Sequence, residues 1–155
     1  MIRRVGKSDY NEVRKLVSQV HQIHLNNRCD IYIDGEVLEY DYFNEIINDD
    51  DSLNYLYEDN NKVVGVILVD KKTTKSLPII KSKNIYYIND IVVDEKFRKK
   101  GIGRKLYNYI KEKAIDDNID SIELNVWSFN KAAIKFYESL GMKVKNMKFE
   151  DVINK

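Results

Sequence analysis

The stretch from Ile85 to Asp117 constrains this chain most. A run rich in Tyr, Ile and Val, from Ile85 to Val93, ends in Asp94-Glu95-Lys96-Phe97. Arg98-Lys99-Lys100-Gly101-Ile102-Gly103 follows. Helical spacing then begins at once, with Ile102, Leu106, Tyr109, Ile110 and Ala114. A strand feeding a glycine turn that opens a helix leaves several backbone N–H groups pointing outward together. Such a helix start carries about half a positive charge and binds phosphate. The adjacent basic side chains add point charges for a polyanion. The pattern is neither GxGxxG nor a P-loop ending in GK[ST]. A solvated basic turn has the same composition, so the rest of the chain must decide.

The flanking pattern predicts a sheet with helices. Ile2 to Val5 reads as a short strand. Ser8 or Asp9 then caps a helix, with Asp9 and Glu12 spaced as a capping box. Val13, Leu16, Val17, Val20 and Ile23 form one apolar stripe. Residues 26–35 read as irregular, and a second helix covers about Glu39 to Asn48. Leu53 to Glu58 and Val63 to Val69 read as strands joined by Asp59-Asn60-Asn61-Lys62, which is hairpin chemistry. Lys71 to Lys83 is a polar loop. Within 85–93, regular alternation places Tyr87, Asn89, Ile91 and Val93 on one side and Tyr86, Ile88, Asp90 and Val92 on the other. A strand at Ile122 to Val126 follows the helix. Asn130 starts another helix, with Ala133, Phe136, Tyr137 and Leu140 inward and Gly141 as its C-cap. Val144 to Ile153 alternates weakly as a last strand. No linker divides the chain, so the expectation is a single mixed α/β domain over residues 1–155, built on one sheet. The strand–helix–strand unit over 85–126 should be a right-handed parallel crossover. Ligands in such sheets sit beyond the carboxyl ends of the strands, where the glycine turn lies.

Composition excludes several classes. The chain has 155 residues and a net charge of +1, so no global field argues for nucleic acid or a membrane surface. Cys29 is the single cysteine, which rules out an internal disulfide, and His21 and His24 have no cysteine partners of zinc type. No metal is expected. There is no apolar signal core and no run of about 18 apolar residues. The default expectation is a cytoplasmic protein.

Two motifs carry a resemblance. Arg98-Lys99-Lys100-Gly101-Ile102-Gly103 matches [RQ]-x-x-G-x-[GA], and Asn130 with Ala133, Phe136-Tyr137, Leu140 and Gly141 matches a second signature. Together they resemble the GNAT superfamily, the Gcn5-related N-acetyltransferases, over about residues 85–142. The resemblance implies a central, mostly antiparallel sheet with one splayed parallel pair and flanking helices. It implies acetyl-CoA as donor, with its diphosphate on the backbone amides of Arg98, Lys99, Lys100, Gly101, Ile102, Gly103 and Arg104. Pantetheine would pair like an added strand with Ile91, Val92 and Val93, and Asn130 would contact the cofactor. Asn125 and Trp127 would line the slot.

The reaction that follows is acetyl transfer to a primary amine by direct attack on the thioester. The resemblance assigns Tyr137 as the acid that protonates the leaving thiolate, and the Val93 N–H as oxyanion donor. Some members carry a glutamate where this chain has Asn89. Asparagine takes no proton at neutral pH, yet it can hold a water that relays one. His24, Glu36 and Glu39 are the other candidates for a base. The acceptor is a small-molecule amine or a protein N-terminus, met by residues 22–51 and 71–83. There Tyr32, Tyr40 and Tyr42 accompany Glu36, Glu39 and Asp41. The alternative is a non-catalytic acyl-CoA sensor on the same fold. Only 14 residues follow Gly141, so the sheet is completed by short strands or by a second subunit, and the chain is a monomer or a homodimer.

Overall fold

In a computed structural model, residues 1–153 are described. They divide into two compact units, Met1–Asn125 and residues 126–153. The first unit holds one five-stranded sheet in the order β1-β2-β3-β4-β5. Its strands are β1 (Ile2–Arg4), β2 (Tyr55–Asp59), β3 (Lys62–Thr73), β4 (Asn84–Val93) and β5 (Ser121–Glu123). The first four pair antiparallel, and β4 pairs parallel with β5. Helices α1 (Tyr10–Asn27) and α2 (Tyr40–Asn48) precede β2, and α3 (Ile102–Asp116) joins β4 to β5.

The turn between β2 and β3 is Asn60-Asn61, with φ of 49° and 60°. Two left-handed residues match the right-handed twist of the flanking strands, and asparagine tolerates that conformation. β3 is the central strand, with Val63 to Val69 all buried. On one face Val66, Leu68 and Val92 pack with Val13 and Leu16 of α1 and Phe43 of α2. On the other face α3 comes very close. A Cβ on Gly65 would lie 3.2 Å from both Ile102 Cγ2 and Leu106 Cδ1. The start of α3 is thus seated directly on the sheet.

Four expectations need correction. The capping box of α1 does not form. Asp9 is the N-cap residue without a side-chain cap bond. Its carboxylate instead accepts both Arg3 nitrogens, at 2.8 and 2.9 Å, and the Gly6 amide at 2.8 Å. A bidentate charged partner outcompetes an amide, and Glu12 pairs with Lys15. β3 runs to Thr73, further than its apolar residues predict, because its ladder with β4 continues through Thr73 opposite Asn84. β5 is only three residues long, so the strand read over 122–126 stops at Glu123. No strand occurs over 144–153. Its weak alternation is broken by lysines, and a strand forms only where a ladder partner is available.

The second unit holds α4 (Lys131–Ser139). Asn130 caps it by accepting the Ala133 amide at 3.2 Å. Its far end is a Schellman motif: Gly141 N–H reaches Glu138 O at 2.9 Å and Met142 N–H reaches Tyr137 O at 3.2 Å.

Candidate active site on strand β4

β4 is not a regular strand. Leu68 pairs with Asp90 and Val69 with Ile88, so Asn89 is an extra residue, a β-bulge. A one-residue insertion flips the side chains on either side of it relative to one another. Before the bulge, Tyr86 points toward α3, where its hydroxyl donates to Asp117 at the helix end. After the bulge, Val92 lies in the α1–α2 cluster. Asp90, two residues from Val92 and opposite Leu68, shares that face. The regular alternation expected from the sequence would have kept Tyr86 and Asp90 together.

The bulge places Asn89 and Asp90 side by side in the wall of one cleft. α1 contributes Val17, α2 contributes Tyr42, and β3 contributes Leu68 and Asp70. The cleft opens to solvent at its mouth. Buried Asn54 fixes its shape. It donates to Ile46 O at 2.9 Å and accepts the Val69 amide at 3.2 Å, tying the end of α2 to β3. Burial pushes the Asp90 carboxyl up to about 6. No hydrogen bond or ion pair holds it among the described residues. A carboxyl in that range changes charge near neutrality, which suits proton transfer.

The other base candidates lie elsewhere. Glu36 accepts from Tyr10 at 3.1 Å and pairs with Arg14 at 3.3 Å. The His24 ring lies 5.0 Å from that of Tyr32, and burial lowers its pKa. Glu39 is the N-cap of α2. None of the three lines the cleft, and of the acceptor-region tyrosines only Tyr42 does. Regular alternation along 85–93 turns Asp90 to the side opposite Asn89, and the bulge undoes that alternation. The only available signal was two consecutive polar residues inside an apolar strand.

Further along β4 the edge facing β5 is open. The parallel ladder covers only Ile85 to Tyr87. The Asp94 amide donates to Val64 O at 2.9 Å. Amides alternate along a strand, so those of Ile91 and Val93 face the opposite, open edge, while that of Val92 faces β3. The Val93 carbonyl on this edge accepts Arg98 Nε at 3.1 Å.

The strand leads into the glycine turn. Lys99 has φ of 62° and Gly101 has φ of 77°. Two left-handed residues so close together curl the backbone before α3. The first internal bond of α3 runs from Lys105 N–H to Gly101 O, at 3.0 Å. The amides of the first turn, Ile102 to Arg104, lie ahead of it. No side chain caps this helix start, and its first turn holds no acidic residue. The Ile102 side chain is buried, so its amide rather than its side chain is available to a ligand. Lys100 Nζ lies 4.8 Å from the Phe97 ring centroid. Arg98 is committed to Val93 and to Gln19 of α1, at 3.4 Å. Gly103 and Arg104 fall in the first turn of α3. The arrangement fits a diphosphate held by main-chain amides.

Asn130 and Tyr137 lie on α4, Asn130 as its cap. The Tyr137 ring sits 5.5 Å from that of Phe136.

Residues 19–142 match the acetyltransferase (GNAT) family. The chain belongs to the GNAT family. An uncharacterized N-acetyltransferase of Methanocaldococcus jannaschii is 33% identical over 106 residues, 68% of this chain and 46% of that protein. An L-ornithine N5-acetyltransferase of Arabidopsis thaliana is 32% identical over 100 residues, 63% of this chain and 42% of that protein. The chain thus spans less than half the length of these curated relatives. A crystal structure of a mutant protein from Bacillus halodurans superposes with a TM-score of 0.97 at 32% identity, covering 99% of both chains. The mixed sheet with one parallel pair is the GNAT arrangement. Among the described residues no helix is long and apolar enough to cross a membrane.

Proposed function

We propose that the protein transfers an acetyl group from acetyl-CoA to the primary amine of a small molecule. The observation that carries this reading is the layout of β4. In sequence it offers a cleft carboxyl at Asp90, an open backbone edge at Ile91 to Val93, and an uncapped phosphate-binding turn at residues 98–104.

Acetyl-CoA supplies the thioester. Transfer forms an N–C bond and breaks the C–S bond. The Asp90 carboxylate takes a proton from the incoming ammonium, leaving a lone pair for attack. Asn89 orients the amine or a bridging water from the same wall. The Val93 N–H receives the developing oxyanion. Tyr137 donates its phenolic proton to the CoA thiolate. A phenol is a competent proton donor to a thiolate. Asn130 supports the cofactor from the start of α4. Holding amine and thioester together supplies much of the rate. An Arabidopsis relative is named for ornithine, which fits a small amine as acceptor.

The test is release of free CoA from acetyl-CoA across a panel of primary amines. Amine-dependent release supports the enzyme reading. Tight acetyl-CoA binding with no release on any amine would leave the sensor reading in its place.

A further inference from the structure

We infer that the cleft selects acceptors carrying two cationic groups, with Asp90 receiving the reacting amine and Asp70 holding the distal one. This rests on the acetyl-transfer reading above.

The wall of the cleft carries two carboxylates, Asp90 on β4 and Asp70 on β3, and among the described residues no lysine or arginine lines it. Their placement follows from the register. Asp90 faces Leu68, and Asp70 lies two residues further along β3 on the same face, opposite Tyr87, with the bulge at Asn89 between the two pairs. Both carboxylates line the one cleft, so two ammonium groups on a short aliphatic chain can meet one each. The direction is also set. Asp90 adjoins the open edge at Ile91 to Val93, whereas Asp70 lies back along the sheet, away from it. An amine at Asp90 can therefore reach a thioester while its partner charge rests at Asp70.

The two carboxylates differ in their present partners. Asp90 has none among the described residues. Asp70 accepts Ser52 Oγ at 3.4 Å and pairs with Lys72 at 3.4 Å. Lys72 is half exposed and also lies 4.3 Å from the Tyr87 ring centroid, so it has a second resting place. A ligand ammonium can replace it without stranding a charge. Val17 and Leu68 line the same cleft with apolar surface, which suits the methylene chain of a diamine or a basic amino acid.

The test compares 1,4-diaminobutane with butylamine as acceptors, which differ by the distal charge. The protein should favour the diamine in kcat/KM by about tenfold, the equivalent of one modest ion pair. Asp70→Asn should collapse that preference toward unity through KM rather than kcat, and Asp70→Glu should restore it. Equal kcat/KM for the two amines would overturn the inference alone, as would a preference that survives Asp70→Asn. Failure of both amines while another amine of the panel drives CoA release would overturn the inference alone, and no release with any amine would overturn the transfer reading and this inference with it.

Discussion

Gln19 of α1 accepts a hydrogen bond from the backbone amide of Glu95 at 3.1 Å. The same Oε1 meets Arg98 Nη2 at 3.4 Å. Gln19 lies two residues beyond Val17, which lines the cleft. One helix therefore touches both the acceptor wall and the approach to the phosphate turn, and any shift of α1 is felt at both.

This link predicts a cofactor effect from an acceptor-side residue. Gln19→Ala removes an acceptor from an exposed amide, which costs about 1 kcal/mol. Acetyl-CoA affinity should fall about fivefold by calorimetry, and the thermal midpoint should drop by no more than about 2–4 °C. Unaltered affinity would show that the turn holds its shape without α1.

Gly101 tests the turn itself. No atom lies within 4 Å of a Cβ built there, so volume does not forbid a side chain. Its φ of 77° does disfavour one, by roughly 1–2 kcal/mol for an L-residue. Gly101→Val should weaken acetyl-CoA binding about tenfold or more. Gly101→Asn should weaken it less, because asparagine tolerates the left-handed region. Equal binding by both variants and the parent would remove the turn from cofactor recognition.

Asp90 should cost stability while serving chemistry. Its carboxyl titrates near 6 when folded, raised by burial from the ordinary 3.8. The folded state then holds the extra proton between those values, so stability falls as pH rises from about 4 through about 6. Above that range the charged, unpaired carboxylate remains a burden. Asp90→Asn should raise the thermal midpoint at pH 8 and change it little at pH 4. A lower midpoint at pH 8 would mean that Asp90 has a stabilising partner when ionised.

Much of this arrangement was legible because local rules and tertiary packing agree. Asn60-Asn61 forms the expected hairpin turn, and Asn130 and Gly141 bound α4 as their residue types dictate. Gly101 opens α3 where the apolar spacing begins. What was hidden depends on partners far along the chain. Asp9 has the spacing of a capping residue, but Arg3 takes its carboxylate. The bulge at Asn89 is an agreement between β3 and β4, and alternation within β4 alone points Asp90 the wrong way. The extent of β3 and the brevity of β5 are likewise set by ladder partners rather than by residue type.

The most direct test is the pH dependence of kcat/KM for an amine acceptor, in the parent enzyme and in Asp90→Asn. The parent should gain activity as pH rises through about 6, because only the ionised Asp90 can take a proton. Asp90→Asn should lose about a hundredfold, the usual contribution of a positioned base, and should lack that inflection. A variant that keeps both the parent rate and the parent profile would contradict the role given to Asp90 and to the bulge that presents it.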